Sequence, residues 1–277
     1  MSAMVCVAGD VMLDVLVKTT GPLNADDDTP AVVTLSAGGQ AANVAAWVCA
    51  LGGRAGLYGP RTQDAAGLLV DAQLSARGIR LYAESQVARA GTVVSWVTAG
   101  RRTLASDPGD VAWINDRLAE PSWLAGADWL HLSGYLLLRA LDPAVVIALA
   151  RAARQRGARV AVDLASASMI ETYGARAFRA LVEALDPAVV FGNEGEWTVI
   201  GGPAGLPRAD AVVKRGCRGA TFEVGDAVTS LGIVPGAVVD VTGAGDALAA
   251  GYLLGGPAAA MDAAARCISQ VGAQPPA

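Results

Sequence analysis

Short apolar runs alternate along this chain with longer amphipathic stretches. "MVCVAG", "ADWLHLSG", "ARVAVDLA", "PAVVFGN" and "DAVVKRG" read as buried strands, each bounded by Gly, Pro, Asn or a charged residue. "GGQAANVAAWVCALGG", "AAGLLVDAQLSARGI", "PAVVIALARAARQRG" and "ARAFRALVEAL" read as helices, the third starting near Pro143 and stopping at Gly157. Two further helical segments, "GAGDALAAGYLL" and "AAAMDAAARCISQVG", close the pattern. Such alternation predicts an α/β fold with a mainly parallel sheet covered on both faces. Ligands bind such sheets beyond the carboxyl ends of the strands, where Asp10, Asp163, Asn193 and Gly216 fall.

Two stretches break the rhythm. "DVLVKTTGPLNADDDTPAVVTLSAGG" and "ESQVARAGTVVSWVTAGRRTLAS" alternate like strands with no helix between them. They predict a small antiparallel flap, with strands from about residues 11–37 and 84–106. No repeat or Pro/Ser linker interrupts the chain, so residues 1–277 read as one domain from which the flap grows out. Arg101 and Arg102 read as edge charges that protect a flap strand, with substrate contact as the alternative.

Composition narrows the class. The apolar fraction is 53% and the charged fraction 17%, which fits a sizeable core and argues against disorder. The richest apolar stretch, "LHLSGYLLLRALDPAVVIALARAA", is interrupted by Arg139, Asp142 and Pro143, too early to span a membrane. The start, "MSAMVCVAGDVMLDV", lacks a basic leader, so the expected location is the cytoplasm. A net charge of −5 without a Lys/Arg block argues against nucleic acid as a partner. The four cysteines form no C-x-x-C pair and read as buried free thiols. His131, the only histidine, lies in an apolar strand and reads as a hydrogen-bonded core residue.

The chemistry gathers in "DVTGAGDALAAGYL". Its glycines let backbone amides approach an anion, and the following helix adds a favourable dipole. Asp246 in the first turn could be an ordinary acid at a helix start. Beside a phosphate cradle it makes better sense as a base that takes a proton from an attacking hydroxyl. The first strand is followed by "AGDVMLD", without G-x-G-x-x-G, and no P-loop occurs, which disfavours a dinucleotide oxidoreductase and a Walker ATPase. Gly38 and Gly39 lead into a helix whose Asn43 offers both donor and acceptor to hydroxyls. Asn193 and Glu196, three apart, offer oxygens suited to Mg²⁺, with a capping segment as the alternative reading. Of Asp10 and Asp14, one caps or solvates the turn, and Asp14 is favoured as the ligand. Trp96 and Tyr135 read as packing residues ahead of nucleobase stacking.

Four segments, "AGDVMLD", "GGQAANVA", "GNEGEW" and "DVTGAGDALAAGYL", together resemble the ribokinase-like (PfkB) carbohydrate kinase family, in order and over nearly the whole chain. The resemblance implies a three-layer fold with a β lid, and an ATP-dependent phosphotransferase acting on a hydroxyl of a sugar or sugar-like molecule. It implies Asp246 as catalytic base, with Gly243, Ala244 and Gly245 as the anion hole. It implies substrate binding by Asp14, Gly38, Gly39 and Asn43, and nucleotide binding by Lys214, Gly216 and Gly219. Asn193 and Glu196 would organise Mg²⁺ through water, and Asp240 and Thr242 lie where some members hold a monovalent cation such as K⁺. Gln40 and Ala41 replace the Lys and second Gly of ribokinase, which weakens the case for ribose, and Ser133, Gly134 and Tyr135 supply a different pocket floor. A nucleoside kinase and a non-catalytic sugar or nucleotide sensor stay open as alternatives. Relatives often dimerise through the lid; a monomer is the other option.

Overall fold

The computed structural model describes residues 2–82, 89–98, 101–204, 206 and 209–276. The first half contains β1 (Met4–Ala8), β2 (Met12–Thr19), β3 (Ala31–Gly38), α1 (Gln40–Ala50), β4 (Arg54–Tyr58), α2 (Ala65–Ala76), β5 (Arg80–Tyr82), β6 (Gly91–Thr98), β7 (Arg101–Asp107) and β8 (Trp129–Ser133). There follow α3 (Gly134–Arg139), α4 (Pro143–Gln155), β9 (Arg159–Asp163), α5 (Ala167–Tyr173), α6 (Ala175–Ala184), β10 (Val189–Asn193) and α7 (Glu194–Val199). The chain then forms β11 (Asp210–Lys214), β12 (Ala220–Val224), β13 (Ala227–Leu231) and α8 (Ala244–Ile268).

Among the described residues the main sheet runs β13-β12-β11-β10-β9-β8-β1-β4-β5. Its pairs from β11 through β5 are parallel, while β12 and β13 pair antiparallel at one edge. Helices cover both faces, because continuous apolar strands such as β1 and β8 must be buried on each side. One face packs Val7, Ala161, Phe191 and Val212 against α1, α2 and α8. The other packs Leu130, Val162 and Val190 against α4, α6 and α7. On α6 the buried positions are Phe178, Leu181 and Val182, the spacing of one helical face.

The second sheet has the order β3-β2-β6-β7. The expected all-antiparallel flap is corrected here: β2 and β6 pair in parallel, while β2–β3 and β6–β7 are antiparallel. The cause is the connection. Between β3 and β6 the chain returns to the main sheet for α1, β4, α2 and β5, so it re-enters the flap in the direction of β2. Residues 84–88 of the expected flap lie outside the described residues, as do the side chains of Arg101 and Arg102.

Three other expectations change. The two closing helical segments run on as α8 across a kink at Gly256 (φ 73°, ψ −160°), where Pro257 cannot donate a helical hydrogen bond. His131 is fully buried, but neither ring nitrogen has a hydrogen-bond partner among the described residues. Burial pushes its pKa down to about 4, so it is neutral near pH 7. Of the cysteines only Cys6 and Cys267 are buried; Cys49 is half-buried and Cys217 exposed, because Cys217 sits in a surface turn after β11. Among the described residues no helix is long and apolar enough to cross a membrane.

Candidate active site

The carboxyl ends of the parallel strands and the N-termini of α1 and α8 meet at one place. Ser133, Asp163, Asn193 and Lys214 are the last residues of β8, β9, β10 and β11. Asp10 follows β1.

Gly243 is the N-cap of α8 and adopts a left-handed conformation (φ 75°, ψ 0°). A side chain is excluded there twice over, by φ and because a Cβ would stand 2.6 Å from the Cβ of Ala273. No side chain caps α8. The Ala244 amide makes a long 3.3 Å bond to Val241 O, and a helix start with no side-chain cap is the arrangement that receives an anion. Asp246 stands in that same first turn, and its Oδ2 accepts a 2.8 Å hydrogen bond from Asn43 Nδ2 on α1. The two signature segments, 203 positions apart in the chain, are thus joined by one hydrogen bond. Burial raises the Asp246 pKa to about 8, opposed by the Asn43 bond and by Lys214 and reinforced by Asp163 and Asp10.

The acceptor side lies between α1, β1 and the base of the flap. Asp10 is buried; its Oδ2 accepts from the Gln40 amide at 2.9 Å, and its Oδ1 from Ser133 Oγ at 2.8 Å. Asp10 is therefore the acid that caps, satisfying an opening amide of α1. Ser133 Oγ also meets Gln40 Oε1 at 2.6 Å, so Gln40 lies along the pocket floor. Asp14 projects from β2 over Gly38, where any Cβ would run into its carboxylate. The Gly38–Gly39 pair thus makes room for one acid and lets the backbone of Asp10 approach Gly39.

A cavity of about 590 Å³ opens beside α8. Lys214, Gly216, Gly219, Asn193, Ala244 and Gly245 line it, together with the apolar Val238, Leu248, Met261 and Ile268. Apolar walls with a few polar groups suit a nucleobase and its phosphates. Trp96 and Tyr135 are not among the described residues lining it; Tyr135 instead meets the Arg139 guanidinium, 5.1 Å from the ring centre.

Asn193 and Glu196 are brought together, in a closed capping box. Asn193 N and Nδ2 donate to the Glu196 carboxylate at 2.7 and 2.6 Å, and Glu196 N donates to Asn193 Oδ1 at 2.9 Å. The capping alternative is realised in this state. Burial raises the Glu196 pKa, Lys214 opposing it and Asp163 adding to it. Asn193 borders the cavity with buried Glu196 behind it, and their oxygens fit Mg²⁺ held through water, a cation that keeps several waters and takes few protein ligands. Among the described residues no group of three or more His, Cys, Asp or Glu is arranged to hold a metal ion by itself.

Asp240 Oδ1 accepts from Thr242 N and Oγ1 at 2.9 and 2.6 Å, and its Oδ2 from Gly272 N at 3.0 Å. These bonds fasten the loop before the cradle to the segment around residue 272. That segment is held from the other side by Trp47 Nε1, which donates to Ala273 O at 2.8 Å.

Sequence reasoning underrated one pair. Asp163 and Lys214 form a buried ion pair, with Lys214 Nζ 2.8 and 3.1 Å from the two carboxylate oxygens. Burial works against the Lys214 charge, but Asp163 and Glu196 outweigh it and raise its pKa. The available signal was that each residue ends a predicted strand on the ligand face.

A half-buried acid in the first turn of a helix with no side-chain cap, whose opening residues Ala244 and Gly245 line a nucleotide-sized cavity, is the arrangement of a phosphotransferase of the three-layer α/β type. A family model described as pfkB family carbohydrate kinase matches residues 2–267, and the chain belongs to that family. An ATP-dependent ribose-1-phosphate kinase of Halopiger xanaduensis is 30% identical over 239 residues, covering 79% of this chain and 72% of the relative. Among solved structures, a probable sugar kinase from Rhizobium etli superposes with a TM-score of 0.86 at 22% identity, over 100% of this chain and 96% of that one. A putative ribokinase II from E. coli, in complex with ATP and Mg²⁺, superposes with a TM-score of 0.80 at 19% identity, over 99% and 94%.

Proposed function

We propose that residues 1–277 form one kinase unit that transfers the γ-phosphoryl group of ATP to a hydroxyl of a sugar or nucleoside, with Asp246 as the base. The carrying observation is the placement of Asp246 in the first turn of the uncapped α8, tied to Asn43. Asp246 would take the hydroxyl proton, and the amides of Gly243, Ala244 and Gly245 would receive charge on the transferring group. Asp14, Gly38, Gly39 and Asn43 would orient the acceptor. Lys214 would hold the phosphate end of the nucleotide, and Gly216 and Gly219 would lie near its purine and ribose. Mg²⁺, held through water by Asn193 and Glu196, would neutralise phosphate charge when bound. K⁺ near Asp240 and Thr242 would stiffen the loop before the cradle. The flap would close over the acceptor and exclude water, which otherwise competes as the phosphoryl acceptor. A second copy would pair through the flap, and the working compartment would be the cytoplasm.

ADP release tests this reading, measured with ribose, ribose-1-phosphate, fructose, 2-keto-3-deoxygluconate, adenosine, inosine and pseudouridine, with and without K⁺. At least one acceptor is expected to stimulate the wild type. Asp246→Asn is expected to lower that rate by about 10²–10⁴-fold. Near wild-type turnover in Asp246→Asn would remove the base from the mechanism.

A further inference from the structure

Lys214 and Asp163 do not belong to neighbouring strands. Lys214 ends β11, Asp163 ends β9, and β10 runs between them. Adjacent strands lie about 4.8 Å apart, so the lysine must stretch over the end of β10 to reach its partner. It crosses above Asn193, its register partner on β10, and beside the first turn of α8. A Cβ on Gly245 would stand 3.3 Å from both Cδ and Nζ of Lys214. The ammonium is therefore held beside Asn193 and the first turn of α8, in the lining of the cavity. Asp163 is wholly buried, and its Oδ1 also accepts from the Ala165 amide at 3.2 Å, so the anchor is fixed while the lysine keeps partial exposure.

We propose that Lys214 is a catalytic cation that meets the oxygens of the transferring phosphoryl group, and that Asp163 is the positioning residue that holds it there. This rests on the kinase reading above. An ammonium has three donors; at most two serve Asp163, which leaves at least one for a ligand in the cavity that Lys214 lines. In the step itself the acceptor O–H proton goes to Asp246, the O–P bond forms and the bond from the γ-phosphorus to the bridging oxygen breaks. ADP leaves with the bridging oxygen and its charge. Lys214 gives up no proton; it faces the charge that spreads over the transferring oxygens.

Three variants decide it, assayed for kcat and for KM of ATP, with the accepted acceptor and with water alone as acceptor. Lys214→Met is expected to lower kcat by about 10²–10³-fold, the size seen when one charge-stabilising donor is removed. The double variant Asp163→Asn/Lys214→Met leaves no lone buried charge and is expected to melt closer to the wild type than Lys214→Met does. Its kcat is expected to stay as low as that of Lys214→Met. If the double variant regains wild-type kcat, the pair is only structural and the proposal falls. It falls equally if a folded Lys214→Met keeps kcat within about twofold of the wild type, far short of the loss a charge-stabilising donor should cause. Should Lys214→Met not fold, the double variant carries the comparison. Asp163→Asn alone is expected to lose kcat and to recover none of it by raising ATP. The two readings fail separately. A wild type that turns over, loses activity in Asp246→Asn and keeps it in Lys214→Met sinks this proposal alone. A wild type that releases no ADP under any condition sinks the kinase reading and this proposal with it.

Discussion

At Asp246 burial, Asn43 and Lys214 compete over one proton. Burial prevails and sets the pKa near 8, above the ordinary value of 3.8. Between those two pH values the folded chain holds a proton that the unfolded chain has lost, so stability is full below about pH 4 and declines as pH rises through about 8. Asp246→Asn should therefore melt higher than the wild type at pH 9 and lose that advantage below pH 4, even as turnover is lost. Equal melting temperatures at pH 9 would show that the carboxyl is not held protonated. If Asp246 is the base as proposed, the wild-type kcat/KM should climb with pH to a plateau above about 8, because the free enzyme must first ionise it. Removing the Asn43 bond takes away an interaction that favours the carboxylate, so Asn43→Ala should move that climb to higher pH. A pH profile unchanged in Asn43→Ala would count against the coupling. Asp246 and its glycines were legible in the sequence because turn and helix start are local. The Asp163–Lys214 pair was not, because no local pattern says which strands flank β10. His131 shows the same divide: its burial followed from apolar neighbours, but its missing partners depend on the whole sheet.

Among the elements, α7 shows how a short helix can be held and still serve a site. Its capping box satisfies amides at the N-terminus with the side chains of Asn193, which lines the cavity, and Glu196, buried behind it. Asn193→Ala should cost about 1 kcal/mol of stability, read by urea denaturation without nucleotide, in line with the loss of a good N-cap. A stability change near zero would mean the box contributes little, and the pair would then be held only for the ligand. The helices of ten or more residues were legible by period and by their ends. The helices α3, α5 and α7 were not, since six or seven residues carry too little periodicity. Their signals were the caps Ser133, Ser166 and Asn193, which resemble any loop polar residue until the strand before them is placed. The parallel β2–β6 pairing was likewise hidden, because it follows from a long connection and not from the strands themselves.

In the molecule as a whole the flap stands out from the main sheet, with α2 packed against β2 and β3. Val33 and Leu35 are exposed on one of its faces and Val32 and Leu104 on the other, apolar surface of the kind that another surface covers. If two flaps pair, Val33→Lys/Leu35→Lys should sediment as a monomer at concentrations where the wild type is a dimer. A monomeric wild type at high concentration would dismiss the pairing. At the opposite side of the site, the cradle leans on the segment around residue 273, which Gly243 touches and Trp47 holds across 226 positions. During synthesis the main sheet, the lid and the base itself have all left the ribosome before that brace arrives. Phosphoryl transfer should thus switch on only after a nascent chain that already looks folded to a core-directed antibody has also released the segment around residue 273.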